Sequence, residues 1–216
     1  MEHYFQIFLH IVLFGTWFGS LVTLLVLLLS GYKRSGAGPD GELHLDTLGY
    51  VQRVPKASLI LMLPMGLQLS GNLGLITLGD GSMVGVWAFA VIWLAIDWIG
   101  APSGLSTPSR AMRVVERVLQ AVFVLMLLGA GILSHLSGAP VEASWLATKL
   151  IVFAAALVLM SGVDALLEPI YRAARSNQTD TDEPRKRALL MAAGLVVVLL
   201  ALMLFAAWTG FTNWRS

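Results

Sequence analysis

The chain has 216 residues, of which 57% are hydrophobic and 12% are charged, with a net charge of +1. So high an apolar fraction excludes an ordinary soluble domain and indicates a polytopic membrane protein. The sequence contains no cysteine, which excludes disulfides, thiolate ligands and iron–sulfur clusters.

Apolar runs of about 20 residues, the length that crosses a bilayer as a helix, follow one another along the chain. They do not alternate with polar residues as strands would, so the predicted fold class is an all-α polytopic membrane helix bundle. We predict six transmembrane helices in a single domain, at 4–29, 55–78, 83–100, 113–136, 144–169 and 188–211. The first helix lacks a basic n-region and a cleavage site, so we expect the mature protein to keep it.

The basic residues predict the orientation of the six spans. Twelve of the 14 lysines and arginines, Lys56 among them, fall on the side of the loops at 31–41, 101–110 and 176–187. Because cytoplasmic loops of membrane proteins are enriched in Lys and Arg, these loops are predicted to be cytoplasmic. The prediction is a bacterial inner-membrane protein with both termini in the periplasm.

Five hydrogen-bonding side chains fall at one depth, in the outer third of the predicted bilayer. They are the imidazoles of His10 and His135, the amine of Lys149, and the amides of Gln68 and Asn72. Depth follows from the helical rise of about 1.5 Å per residue. We therefore expect spans one, two, four and five to face one another at this level.

Two imidazoles projecting from different helices are a common way to hold haem iron. On this hypothesis His10 and His135 are the axial ligands, and Lys149 pairs with a propionate or relays a proton. Other interpretations stay open for each residue. His10 is also consistent with an interhelical hydrogen bond, His135 with a hydrated helix end, and Lys149 with an amine that reaches the headgroups.

A second polar set lies near the cytoplasmic side of the predicted spans. It contains Asp97, Asp164 and Glu168, with Arg110, Arg113, Glu116 and Arg117 close by. We favour ion pairs at the helix ends as its explanation. The alternative is a proton entry route in which Asp97 and Asp164 carry the proton.

The first span, with His10 followed by Trp17-Phe18-Gly19, resembles the opening helix of the HemJ-type protoporphyrinogen oxidases and of the CopD copper-resistance family. The segments from Arg117 to Ser134 and from Trp145 to Leu150 resemble the second and third helices of the HemJ type. The resemblance covers spans one, four, five and six and implies a four-helix core that binds haem b. It also implies that His10 is a haem ligand and Lys149 an essential cation, and that spans two and three are an insertion.

These observations predict a haem-b redox protein of the membrane, acting in electron transfer or in porphyrinogen oxidation, with Trp17, Gln68 and Asn72 lining the cofactor site. The alternatives are CopD-like copper transport, for which Met62, Met65 and Met83 offer thioethers, and a non-catalytic assembly subunit. The expected partners are the lipid bilayer and a quinone or porphyrin. Self-association into a homo-oligomer stays open, and we expect no nucleic acid partner.

Overall fold

The computed structural model describes residues 2–34, 38–77, 79–100, 110–175 and 182–213. Those residues form six α-helices and include no strand, which confirms the predicted all-α helix bundle. The helices are α1 (Glu2–Arg34), α2 (Gly38–Asn72), α3 (Asp80–Gly100), α4 (Arg110–Ser137), α5 (Ser144–Arg175) and α6 (Asp182–Asn213). Of the predicted loops at 101–110 and 176–187, residues 101–109 and 176–181 lie outside the described residues, and 182–187 belong to α6.

Five of the helices, α1, α3, α4, α5 and α6, are long and apolar enough to cross a membrane. Large apolar side chains on their outer faces, such as Val84, Leu125 and Phe211, are exposed as lipid-facing residues would be. Helix α2 is not among the five. Several of its polar side chains, such as Gln52, Arg53 and Lys56, are buried in the bundle. These residues lower the mean hydropathy of α2 although they are not exposed.

Helix α2 departs from the predicted second span at both ends. It begins at Gly38 instead of residue 55 and continues through Pro55 and Pro64, as helices packed inside a membrane bundle allow. It ends at Asn72 instead of residue 78. There Gly74 adopts a left-handed φ of 71°, and the Leu75 amide donates to the Ser70 carbonyl at 3.0 Å. This Schellman cap, which favours glycine, stops the helix early.

The six helices close into a ring in chain order, with α6 packed back against α1, and α2 also contacts α5 across the middle. Among the described residues, α1 does not contact α4 or α5. The nearest neighbours of α1 are therefore α2 and α6, and α4 and α5 lie farther from its backbone. That spans one, two, four and five face one another stays a prediction.

The core is built from apolar faces at helical spacing. On α1 the buried positions are Trp17, Leu21, Leu24 and Leu28, which recur every three or four residues. Between α3 and α4, Trp93 packs edge-on against Phe123 with ring centroids 5.3 Å apart. This apolar interior holds the helices in register, and it leaves the charged side chains described below together at one end of the bundle.

Candidate functional site: a buried charge cluster at the basic end

A lysine lies at the centre of a carboxylate cluster inside the helix bundle. The Nζ of Lys56 on α2 is 2.5 Å from Asp97 Oδ1 on α3 and 3.1 Å from Asp164 Oδ2 on α5, and it also contacts Glu116 Oε1 on α4. The side chains of Lys56, Asp97 and Glu116 are only 10%, 3% and 12% exposed. Four helices each contribute one charge to this contact, which we name the Lys56 cluster.

Neutral side chains orient the cluster from α2 and α5. Gln52, one helical turn before Lys56, donates its Nε2 to Asp164 Oδ1 at 2.5 Å. The hydroxyl of Tyr171 in turn donates to Gln52 Oε1 at 3.0 Å. On α4 the buried Gln120 donates to the Leu157 carbonyl, which ties α4 to α5 one turn beyond Glu116. The Gln52 amide thereby fixes the position of Asp164 relative to Lys56.

The charges of the Lys56 cluster do not balance. Three carboxylates surround one ammonium group, which leaves a net charge of −2 if all four groups are ionised. Unpaired charge is costly in a buried or membrane setting, and ionisable groups at that depth mark proton or ion pathways in membrane proteins. Binding a proton to one carboxylate would relieve the excess, so the cluster is chemically suited to exchange protons.

A cavity of about 130 Å³ lies beside the cluster. Its rim carries three arginines that share one carboxylate, Glu168. Arg117 Nη2 is 2.8 Å from Glu168 Oε2, whereas Arg113 Nη1 and Arg172 Nε lie 3.9 and 3.8 Å from Glu168 Oε1. We name these four residues the arginine rim. With Arg53 and Lys56, from the middle of α2, they form the basic end of the bundle, where α3 and α5 finish and α4 begins.

Arg53 closes another side of the cavity. Its guanidinium lies 5.7 Å from the ring centre of Tyr50 and 5.4 Å from that of Trp98. Aromatic faces attract a cation in this way. Arg53 therefore links α2 to the end of α3 at the wall of the cavity.

The structure brings together the inner residues singled out in the sequence and adds one that was missed. Asp97, Asp164 and Glu116 meet as neighbours, while Glu168 pairs with the arginines nearer the surface. The predicted surface ion pairing describes the pair of Arg117 and Glu168, because the Arg117 side chain is 66% exposed. It does not describe the Lys56 cluster, which is buried. Lys56 was assigned to membrane topology alone, although its place just inside the predicted second span was a signal that it is buried.

At the opposite end of the bundle, His10 and Lys149 lie near each other. The Nδ1 atom of His10 is buried and has no hydrogen-bond partner among the described residues. Its ring faces Gly66 on α2, where an added Cβ would be 3.8 Å from Cε1. Lys149 is close enough to interact electrostatically with the imidazole. Its Nζ packs on Gly210 of α6 and lies 5.0 Å from the ring centre of Trp145.

The other predicted cofactor residues have separate neighbours. His135 is exposed, and its Nε2 lies 3.2 Å from Thr148 Oγ1 at the seam between α4 and α5. Gln68 Oε1 accepts a hydrogen bond from Trp87 at 2.9 Å, and Asn72 donates to Gln6. His135 thus lies in an exposed contact with Thr148, whereas His10 has a buried Nδ1 and faces Gly66 of α2.

Trp17 lies in the apolar core, 5% exposed, and its indole Nε1 has no hydrogen-bond partner in the described part of the chain. Met62 and Met65 are likewise buried. The described residues contain no group of three or more histidine, aspartate and glutamate side chains placed to hold a metal ion.

Comparison with known proteins adds no relative: no family model, curated protein or solved structure matches the chain. The function of the protein is therefore inferred from its own residues. The resemblance to HemJ-type and CopD-type proteins stays a prediction.

Proposed function

We propose that the protein is a proton-coupled membrane carrier and that the Lys56 cluster is its proton-binding site. One observation carries this proposal: the ammonium group of Lys56 contacts carboxylates from three other helices, in the interior of an apolar bundle and beside a cavity. A cluster that only held the fold together would need one carboxylate for one ammonium. The surplus carboxylates give a proton somewhere to bind.

Protonation of this cluster would act on the packing of the helices. Each carboxylate holds its own helix, α3, α4 or α5, against the lysine of α2. A proton on one carboxylate removes that attraction, so proton binding and release shift the balance between two arrangements of the bundle. The positive-inside bias orients the basic end and its cavity towards the cytoplasm and both termini towards the periplasm.

Infrared spectroscopy of the purified protein in lipid tests the proton site. On acidification we expect the carbonyl stretch of a protonated carboxylic acid to appear, because the cluster then binds its proton. The band should weaken in at least one of Asp97→Asn, Glu116→Gln and Asp164→Asn. Glu142→Gln, in the exposed hairpin between α4 and α5, is the matched control and should leave it unchanged. A band that survives in all three variants contradicts the proposal.

A second function, haem-b binding for redox work, is supported by the buried and unpartnered Nδ1 of His10. The imidazole faces Gly66 of α2, and Lys149 provides a nearby cation for a carboxylate such as a propionate. When bound, haem b would supply one-electron chemistry. On this proposal His10 would supply one axial ligand, while His135 is exposed beside Thr148.

A further inference from the structure

We infer that the arginine rim binds a phosphate group, carried either by a small soluble phosphate or by the headgroup of an anionic lipid. The inference deepens the proposed function, since it names the chemistry of the solute that the carrier's cavity takes. It also stands on contacts outside the Lys56 cluster, so the two can fail separately.

The arginine rim has more positive than negative groups. Three guanidinium groups, from Arg113 and Arg117 on α4 and Arg172 on α5, lie within 4 Å of the single carboxylate of Glu168. The two guanidinium groups of α4 alone exceed the charge of Glu168 by +1, opposite in sign to the surplus of the Lys56 cluster deeper in the bundle. A single carboxylate cannot use all the donors of the Arg113 and Arg117 forks, so some of them remain available to a bound anion.

The distances within the rim leave space for an anion. Only Arg117 is at hydrogen-bond distance from Glu168, at 2.8 Å, whereas the contacts of Arg113 and Arg172 are about 1 Å longer. The three side chains border the cavity of about 130 Å³, which has room for a group the size of phosphate. Arginine is the residue of choice for phosphate because its planar fork donates two parallel hydrogen bonds to adjacent oxygens.

The arginine rim lies beside the Lys56 cluster. Both line the same cavity, with the positive surplus at the rim and the negative surplus around Lys56. An anion bound at the rim would offset the positive charge there, and a proton on a carboxylate of the Lys56 cluster would offset the negative charge there. A phosphate-bearing solute and a proton are therefore expected to favour each other's binding.

Thermal unfolding of the purified full-length protein tests the site, with inorganic phosphate as the first probe in detergent. The second probe is a bilayer of phosphatidylglycerol, compared with one of phosphatidylcholine. We expect stabilisation by phosphate beyond that by chloride at equal ionic strength if the ligand is soluble, or by phosphatidylglycerol alone if it is a lipid headgroup. Either result supports a phosphate-group site and identifies its source. Stabilisation by neither probe overturns the inference.

Three variants assign the effect to the rim. Arg113→Gln and Arg172→Gln should each weaken binding roughly tenfold, since each removes a charge-assisted hydrogen bond. Glu168→Gln should strengthen binding, because it removes the carboxylate that competes for the three guanidinium groups. Arg187→Gln, on the exposed start of α6, is the matched control. Equal loss in Arg187→Gln, or weaker binding in a folded Glu168→Gln protein, contradicts the assignment.

Discussion

Lys56→Met is expected to cost more stability than neutralising any other lysine of the described chain. The substitution keeps the length of the side chain but leaves Asp97, Glu116 and Asp164 without their shared cation. Breaking a buried ion pair by removing one partner typically costs about 3–5 kcal/mol. Here three carboxylates would repel one another as well, so we expect a large fall in the melting temperature, or loss of folded protein, by size exclusion and thermal unfolding in detergent.

The matched control is Lys33→Met at the exposed end of α1, which should unfold like the wild-type protein. Asp97→Asn should cost far less than Lys56→Met, because two carboxylates remain for the ammonium group. Adding Asp97→Asn to Lys56→Met should recover part of the lost stability, since it lowers the repulsion that the first change leaves behind. If Lys56→Met unfolds at the same temperature as Lys33→Met, the lysine does not hold the cluster together.

His10→Ala is expected to abolish haem binding. If the second candidate function holds, the protein purified from haem-replete cells shows a Soret absorbance band, because the free Nδ1 of His10 supplies an axial ligand. Alanine removes that ligand without adding bulk against Gly66. The absorbance spectrum and the haem content per protein measure the effect, and circular dichroism checks that the variant keeps its helices.

His135→Ala is the matched control for the haem experiment. The substitution removes an exposed imidazole on α4 that contacts Thr148 on α5. We therefore expect the His135→Ala protein to keep the Soret band. A wild-type protein without a Soret band would remove the haem hypothesis, and loss of the band in His135→Ala would contradict the separate placement of the two histidines. Neither result would touch the Lys56 cluster.

Much of the fold could be predicted from the sequence because long apolar runs admit few structures in lipid. The predicted spans at 4–29, 83–100, 113–136, 144–169 and 188–211 all lie within α1 and α3–α6. Helix α2 was harder. Its polar residues Gln52, Arg53 and Lys56 are buried against neighbouring helices, which its hydropathy does not reveal. Its end at Gly74 depends on a left-handed turn rather than on hydropathy.

The site was predictable only in part. Charge and position in the sequence indicated that Asp97 and Asp164 belong to one polar layer. Ion pairs at helix ends and a buried cluster would, however, give the same pattern of charged residues along the sequence. What distinguishes them is the packing of α2 against α3 and, across the middle of the ring, against α5, which puts Lys56 within reach of carboxylates from three helices. Likewise, equal depth suggested that His10 and His135 share a site, whereas His135 is exposed beside Thr148 and the Nδ1 of His10 is buried.

A spin-label distance between α2 and α4 tests the central claim, that protonation of the Lys56 cluster alters helix packing. The chain has no native cysteine, so Val54→Cys and Val114→Cys, both exposed at the basic end, give two labels and no others. A proton weakens the hold of Lys56 on its carboxylates, so we expect the distance to lengthen on acidification in the otherwise wild-type protein. The change should be reduced when Glu116→Gln is added. A distance that is the same at every pH at which the protein stays folded would contradict the claim.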